Sequence, residues 1–349
     1  MSGRAGEGGE SADPRRSTPG ARLVSVVLAS ILPSPADIRA AAARIAPFIH
    51  RTALRRSDGL SDFLGGDVWM KLECKQETGS FKIRGATNTL MALDETARSR
   101  GVVASSAGNH GLGIAAAAKR LGIAAMVFVP ATAPSVKRDR IAALGATVDA
   151  SAASYDAAES LARSFAARTG ATFVSPCCGS TLVAGQGTVA LEIVEELPGL
   201  RTIVVSVGGG GLVGGIGGLL RSEAPAVRIV GAQSERTNAM ALALASGNPT
   251  EIPDRPTLAD GLAGLVDAEM LAQGRSALDE VAVVSEDAIA DAIAFLWIEE
   301  GERVEGAGAA GVAALLEGEV MRLEFPAVVV VSGGNIDETK HRSIIKGNY

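Results

Sequence analysis

The sequence predicts an α/β protein built around largely parallel sheets. Short apolar runs rich in Val and Ile alternate along the chain with Ala-rich stretches long enough to form helices. This alternation is typical of parallel strands joined by crossover helices. The chain has 349 residues, of which 47% are hydrophobic, and this is enough for two domains or for one large core.

The first part of the chain combines a disorder-prone composition with the start of a helix. Residues 1 to 22 are rich in Gly, Ser, Pro, Arg and Glu, which is typical of disorder. The apolar run Leu23–Leu32, with two arginines upstream, also fits a secretory or twin-arginine signal. A helix start is favoured, because Ser34 can cap a helix whose first turn holds Pro35 and Asp37.

Seven apolar runs are predicted strands, and six further stretches are predicted helices. The strands are Val68–Leu72, Val102–Ala104, Ala124–Val129, Thr202–Val207, Val227–Val230, Val281–Val284 and Ala327–Val331. The helices are Gly111–Leu121, Ser135–Leu144, Tyr155–Arg168, Leu182–Glu196, Leu212–Arg221 and Asp287–Glu300. We expect Ser285 to cap the last of these helices and Gly301 to end it.

Four consecutive glycines, Gly208–Gly211, lie between a predicted strand and a predicted helix. Bare backbone N–H groups at the start of a helix bind anions, so this loop is a candidate phosphate site. It contains no Lys or Arg, and peptide dipoles alone would hold the anion. A tight turn without a ligand is the alternative, but four glycines in a row cost much chain entropy.

The same loop also fits a dinucleotide-binding fingerprint. Gly209–Gly214 has the spacing GxGxxG, and Gly111–Ala116 has its looser form, so a Rossmann dehydrogenase is an alternative. Such an enzyme needs an acidic residue about 20 positions further on. Gln233 lies there, with Glu235 two residues later, which is a poor match. This alternative also leaves Lys82 unexplained.

Lys82 follows a Gly-Ser turn at the start of a predicted helix, between two apolar residues. A lysine there can be a reactive amine, or a side chain that extends its charge to solvent. Two small polar turns, Ser105–Asn109 and Ser332–Asn335, follow predicted strands. A reactive amine, an anion-binding loop and polar turns are together what a pyridoxal phosphate enzyme needs.

These motifs resemble the pyridoxal-phosphate enzymes of fold type II, and within them the serine/threonine dehydratase group. The resemblance runs from about Ser34 to His341. It rests on SFKIRGA at 80–86, SSAGNHG at 105–111, GQGT at 185–188, GGGGL at 208–212, LADG at 258–261, VEGAGAAG at 304–311 and SGGN at 332–335. It implies two three-layer αβα domains with the cofactor, pyridoxal 5'-phosphate, in the cleft between them.

The resemblance also implies domain bounds and residue roles. Residues 34–79 and 180–349 would form a large cofactor-binding domain, residues 80–179 a small domain, and residues 1–33 a disordered extension. Lys82 would be the catalytic residue. The cofactor would be bound by Phe81, Lys82, Asn109, Gly208, Gly209, Gly210, Gly211, Leu212, Gly261, Glu305 and Ser332. The substrate carboxylate would be bound by Ser105, Ser106, Ala107 and Asn109.

The implied activity is β-elimination of L-threonine or L-serine to a 2-oxo acid and ammonia. Lys82 would remove the α-proton as general base, and the β-hydroxyl would leave. Related enzymes act on 3-hydroxyaspartate, phenylserine or intermediates of hydroxyectoine breakdown, and these substrates stay open. A cofactor-binding protein without catalytic activity is the alternative from another functional class.

The chain departs from the family pattern at several positions. Serine racemases of this group have a second serine at Ala107, as acid/base on the opposite face, so racemisation is disfavoured. Their divalent-cation ligands correspond to Gln233 and Ala239, so we expect no metal site. The segment before GQGT contains the unusual pair Cys177 and Cys178. Because 14 residues follow Asn335, no C-terminal regulatory domain is expected.

The composition of the chain disfavours several classes of binding partner. The net charge of −6 disfavours binding to nucleic acids or anionic membranes. No apolar run approaches the roughly 20 residues that span a bilayer. Three cysteines without a CxxC spacing suggest neither a disulfide framework nor a zinc site, and they fit a reduced cytoplasmic setting. We expect a small amino-acid substrate and a homo-oligomer, a dimer or tetramer in this family.

Overall fold

The computed structural model describes residues 31–348, which form ten strands and fourteen α-helices. The predicted disorder of residues 1–33 and the apolar run Leu23–Leu32 lie almost wholly outside the described residues. The strands are β1 Leu54–Arg56, β2 Val68–Lys71, β3 Val102–Ser105, β4 Ala125–Pro130, β5 Thr147–Ala152, β6 Thr172–Phe173, β7 Thr202–Ser206, β8 Arg228–Ser234, β9 Glu280–Val284 and β10 Ala327–Val330.

The helices follow or connect these strands. They are α1 Pro35–Ile45, α2 Asp58–Leu64, α3 Lys82–Ala92, α4 Glu95–Arg100, α5 Asn109–Leu121, α6 Ser135–Ala143, α7 Tyr155–Thr169, α8 Ser180–Glu196, α9 Gly211–Glu223, α10 Ala239–Ser246, α11 Ala268–Ala277, α12 Glu286–Ile298, α13 Gly306–Leu316 and α14 Glu338–Ile345. Two short 3₁₀ turns, Glu73–Lys75 and Asp260–Leu262, complete the set.

The strands form two sheets. The larger has the order β1-β2-β10-β7-β8-β9, and within it β1 pairs antiparallel with β2 while the other strands are parallel. The smaller has the order β5-β4-β3-β6 and is parallel throughout. The predicted α/β class with largely parallel sheets is therefore confirmed.

Both faces of each sheet are buried. In β7, Val204 belongs to one apolar cluster, with residues of α12 and α13, while Ile203 and Val205 belong to another, with residues of α8 and α9. In β3, Val103 packs with α7, and Val102 packs on the opposite face with α3 and α5. Because successive strand residues point to opposite faces, each sheet is the middle layer of three.

The two layered units share α8. Leu182 and Val183, near its start, belong to the apolar cluster of the smaller sheet, whereas Val189 belongs to a cluster of the larger sheet. The predicted division of the chain at residues 80 and 180 stays a prediction. Among residues 31–348 we find no helix with the length and apolar character needed to cross a membrane.

The predicted start of α1 is confirmed in detail. Ser34 accepts a hydrogen bond from the N–H of Asp37, and Asp37 accepts one from the N–H of Ser34, which together make a capping box. At α12 the prediction was right about the cap, Ser285, and wrong about the end. The helix stops at Ile298 rather than at Gly301, whose φ of +68° lies beyond the helix.

A buried group of four charges fixes α3. Arg84 donates to Glu73 and Glu192 at 2.6–2.9 Å, and Lys71 donates to Glu192 at 2.6 Å. Arg84 is 1% exposed and lies in the first turn of α3, two residues after its first residue. Opposite charges balance within the group, so burial is tolerated. We refer to these four residues as the buried charge quartet.

Candidate active site

A cavity of about 750 Å³ is lined by residues from both layered units. Every residue that the sequence predicted for the site lies on its wall. These are Phe81, Lys82, Ser105, Ser106, Ala107, Asn109, Gly208, Gly209, Gly210, Gly211, Leu212, Gly261, Glu305 and Ser332. The structure thus brings together segments that are more than 250 residues apart in the chain.

Lys82 is the first residue of α3, and its amine points into this cavity. The Nζ atom donates to the carbonyl oxygen of Pro176 at 2.7 Å and lies 5.1 Å from the centre of the Phe81 ring. Burial lowers the pKa of the amine. A lysine in such surroundings is a better nucleophile and base at neutral pH than a solvated one.

The four glycines form a cradle of backbone N–H groups where β7 passes into α9. Gly210 has a φ of +87°, which favours glycine, and α9 begins at Gly211 with no side chain capping it. Among residues 31–348, the N–H groups of Gly208, Gly209 and Gly210 find no backbone acceptor. Free N–H groups and a helix N-terminus together attract an anion.

Asn109 and Glu305 form a hydrogen-bonded pair at the cavity wall. The amide Nδ2 of Asn109 donates to Oε1 of Glu305 at 2.5 Å, and its Oδ1 accepts from Asn335 at 2.7 Å. Asn335 also donates to the carbonyl of Thr78 at 2.7 Å. Burial raises the pKa of Glu305 to about 7, although the hydrogen bond from Asn109 acts in the opposite direction.

The remaining predicted residues supply hydroxyl and backbone groups. Ser332 follows β10 and is 5% exposed, and its carbonyl accepts from the N–H of Phe81 at 3.1 Å. Ser106 accepts from the N–H of Gly108 at 3.2 Å, which shapes the turn before α5. Ala107 is 2% exposed and offers only a methyl group to the cavity.

A family model described as "Pyridoxal-phosphate dependent enzyme" matches residues 45–333, most of the chain. The chain belongs to this family. The predicted family and cofactor are therefore confirmed, and the Rossmann alternative is wrong. The glycine loop resembles a dinucleotide fingerprint because both use free N–H groups at a helix start to hold phosphate.

Similar proteins agree with this assignment. An L-threonine ammonia-lyase of Thermotoga maritima is 43% identical over 305 residues, covering 86% of this chain and 75% of that protein. A maize serine racemase structure superposes with a TM-score of 0.84 at 35% identity, covering 90% of this chain and 98% of the other. The processed threonine deaminase isoform 2 of Solanum lycopersicum gives 0.85 at 30% identity, covering 92% and 88%.

The residues present fit pyridoxal phosphate. The cradle of free N–H groups suits a phosphate dianion, and it opens onto the cavity. A Cβ on Gly211 would lie 2.8 Å from the carbonyl oxygen of Cys177, so only glycine leaves the cradle open there. The same cavity carries the amine of Lys82, which suits the cofactor's aldehyde.

Sequence reasoning missed several residues of the cavity wall. Lys137 forms an ion pair with Asp260 at 2.9 Å, and Arg140 donates to Asn335 at 2.8 Å. Both contacts join α6 to segments of the other layered unit. Asp260 belongs to the LADG motif, but its partner Lys137 lies 123 residues away in the chain. No local sequence spacing predicts such a contact.

The positions expected to lack a metal site are occupied by neutral groups. Gln233 is fully buried and donates to the carbonyl oxygens of Val207 and Thr237, each at 2.9 Å. Ala239 begins α10. Within the described part of the chain, no group of three or more His, Cys, Asp and Glu side chains is placed to hold a metal ion. The absence of this divalent-cation site stays a prediction.

Glu305 gives an expected pH dependence of stability. Its folded-state pKa of about 7 lies above the ordinary value of 4.5, so its contribution to stability is full below about pH 4.5 and declines as the pH rises through 7. Glu305→Gln removes this loss. At saturating cofactor, we expect the variant to gain at most about 3 kcal/mol in unfolding free energy relative to wild type across that window. The unfolding free energies of both proteins are measured by denaturant titration at several pH values. If the two curves of unfolding free energy against pH run parallel, the raised pKa of Glu305 is contradicted.

Proposed function

We propose that the protein catalyses β-elimination of water from L-threonine and L-serine, giving a 2-oxo acid and ammonia. The observation that carries the proposal is the amine of Lys82 facing, across one cavity, a glycine cradle and a turn rich in hydroxyl and N–H groups. The 43% identity to an L-threonine ammonia-lyase supports the substrate class.

The positions of the glycine cradle and of the Ser105–Asn109 turn support a separate binding role for each. When bound, pyridoxal phosphate supplies an electron sink that stabilises negative charge at the substrate α-carbon. The Gly208–Gly211 N–H groups hold the phosphate and so fix the cofactor's position. The turn Ser105–Asn109 binds the substrate carboxylate at the start of α5, where the helix dipole favours negative charge.

Lys82 is the residue that transfers the substrate α-proton. Burial lowers the pKa of its amine, so the amine can take the α-proton as general base near neutral pH. Phe81 packs beside it, and Leu212 and Gly261 line the remaining wall. The Ser332 hydroxyl would hydrogen-bond the ring nitrogen and, because it carries no negative charge, would not stabilise a positive charge on that nitrogen. Asn109, held by Glu305, is positioned for the ring oxygen.

The direct test is product formation from a set of hydroxyamino acids. Purified protein with bound cofactor should release 2-oxobutyrate from L-threonine and pyruvate from L-serine, each with one ammonia. The same assay with 3-hydroxyaspartate, phenylserine and the amino acid of hydroxyectoine breakdown tests the open alternatives. A protein that binds the cofactor and releases no 2-oxo acid from any of them would be the non-catalytic alternative, and the proposal would fail.

Ala107 supports elimination over racemisation. Racemisation needs an acid on the opposite face from Lys82, and a methyl group cannot supply a proton. We expect Ala107→Ser to raise D-serine formation from L-serine by about 100-fold or more. Chiral chromatography of the product measures this. Ala107→Gly, which changes side-chain size without adding a hydroxyl, is the matched control, and equal D-serine from both variants would refute the role.

The proposed function also implies a domain division, an oligomeric state and a location. We infer a large domain from residues 34–79 and 180–349 and a small one from residues 80–179, with the catalytic cavity between them. A homo-oligomer, a dimer or tetramer, and a cytoplasmic location are the settings that fit an amino-acid lyase of this family. Light scattering of the purified protein tests the oligomeric state.

A further inference from the structure

Two adjacent cysteines lie beside the cofactor cavity, and the proposed reaction gives them no role. The Sγ atoms of Cys177 and Cys178 are 4.0 Å apart, and neither forms a disulfide. Cys177 lines the cavity and is 6% exposed, while Cys178 is half-buried. One free thiol thus lies on the wall of the active-site cavity and a second lies directly behind it in the chain; we call the two the thiol pair.

The turn that presents the thiol pair is held by neighbouring polar groups. The Ser175 hydroxyl accepts from the N–H of Cys177 at 3.4 Å and from the N–H of Cys178 at 3.1 Å. Gln273, 1% exposed, donates to the Cys177 carbonyl at 3.5 Å and to the Cys178 sulfur at 3.8 Å. Its buried Oε1 atom has no partner among residues 31–348. The two sulfurs are therefore pre-positioned near each other.

Their spacing favours a bridging atom over a disulfide. Two bonds of about 2.3 Å to a tetrahedral centre place the sulfurs about 3.8 Å apart. That separation is close to the 4.0 Å found here. A disulfide prefers Cα atoms roughly 4.4–6.8 Å apart, whereas adjacent residues have theirs at about 3.8 Å. Thiolates select soft metal and metalloid centres.

We propose that Cys177 and Cys178 together bind a soft, thiophilic metal or metalloid centre through two sulfur bonds. Phenylarsine oxide is a suitable probe because its trivalent arsenic takes two thiols. Two As–S bonds form, the two S–H bonds and the As–O bond break, and the oxygen leaves as water with both thiol protons. Neither sulfur nor arsenic changes oxidation state, so no oxidant is needed.

Binding at the thiol pair acts on the cofactor site through direct contacts. A Cβ on Gly209 would lie 2.5 Å from the Cys177 sulfur, and one on Gly211 would lie 2.8 Å from the Cys177 carbonyl oxygen, so the cradle rests against Cys177. The preceding carbonyl, that of Pro176, accepts the hydrogen bond of Lys82. A bridged thiol pair displaces these contacts and weakens cofactor binding, and bound cofactor opposes bridging to the same extent.

The experiment treats the full-length protein with bound cofactor with one equivalent of phenylarsine oxide. Intact mass spectrometry should show one arsenical per chain, removable by a small dithiol, and the visible absorbance of bound cofactor should fall in parallel. Cys177→Ser and Cys178→Ser should each weaken arsenical binding by about 100-fold, because the second bond is intramolecular. Cys74→Ser, the matched control, should bind as wild type does.

Three outcomes would overturn the inference. A single-serine variant at 177 or 178 that keeps the adduct shows that the two thiols do not act together. Loss of the adduct in Cys74→Ser places the site elsewhere. Equal labelling with and without excess cofactor refutes the coupling between the sites. None of these readouts requires turnover, so they stay separate from a failure of the proposed lyase reaction.

Discussion

Lys82→Ala is expected to abolish the lyase reaction and the characteristic visible absorbance of the bound cofactor. The loss in turnover should be at least about 10³-fold, because one side chain supplies both the attachment point and the general base. Among the cavity-lining residues there is one other lysine, Lys137, and it is paired with Asp260. The amine of Lys82 instead has a carbonyl partner, which leaves it free to react once deprotonated. Absorbance spectra and 2-oxo acid assays measure both effects.

The matched control is Lys75→Ala. Lys75 lies outside the cavity with a side chain that is 55% exposed, and its amine pairs with Glu302 at 2.5 Å. Glu302 is only 4% exposed, but it keeps a second cation, Arg55 at 3.2 Å, when Lys75 is removed, so turnover should stay within about twofold of wild type. Circular dichroism of Lys82→Ala should show a folded protein. A folded Lys82→Ala variant that retains turnover would disprove the assignment of Lys82.

Gly211→Ala is expected to raise the dissociation constant of pyridoxal phosphate by about 10- to 100-fold. The added Cβ would lie 2.8 Å from the carbonyl oxygen and 2.9 Å from the Cα of Cys177. Both atoms belong to the backbone, so the start of α9 must move to relieve the clash. The cradle then loses the convergence of its N–H groups on the phosphate. Fluorescence or absorbance titration of cofactor into the resolved protein measures the change.

Two further glycine substitutions make the prediction a graded series. A Cβ on Gly208 would approach Leu262 at 3.3 Å, a tight but milder contact, so Gly208→Ala should show an intermediate effect. Apart from its chain neighbours, no atom of residues 31–348 lies within 4 Å of a Cβ built on Gly199, and Gly199→Ala should bind the cofactor as wild type does. If Gly211→Ala and Gly199→Ala bind equally well, the glycine loop does not hold the phosphate.

The centres of both sheets were predictable from the sequence, whereas their edges were not. Strands such as β7 and β10 are buried on both faces and are continuous runs of Val and Ile, so composition alone identifies them. The edge strand β5 is exposed or half-buried at five of its six residues and contains Asp149 and Ser151, so it has no apolar run that would predict a strand. Helix α13 was missed because three glycines among its first six residues lower its helix propensity, and tight packing overrides this cost.

The glycine cradle and Lys82 were predictable because each lies in a short motif with its own chemistry. The contacts that surround them were not. Asn109 meets Glu305 across 196 residues and Asn335 across 226, and such pairs follow from how the layered units meet rather than from any local spacing. The turn at Cys177 is of the same kind, since its closeness to the cradle arises only after folding.

The buried charge quartet ties the catalytic machinery to the integrity of the whole molecule. Arg84 stands two residues after Lys82, and its partners come from the 3₁₀ turn that follows β2 and from α8. Loosening α3 would strand two carboxylates and two cations in an apolar interior, which is far costlier than a simple rearrangement. We therefore expect Lys82 to keep its position in the cavity until the whole protein unfolds. Under heat or denaturant, loss of the bound chromophore should coincide with collapse of the fold, so the colour of the enzyme is a gauge of its global unfolding.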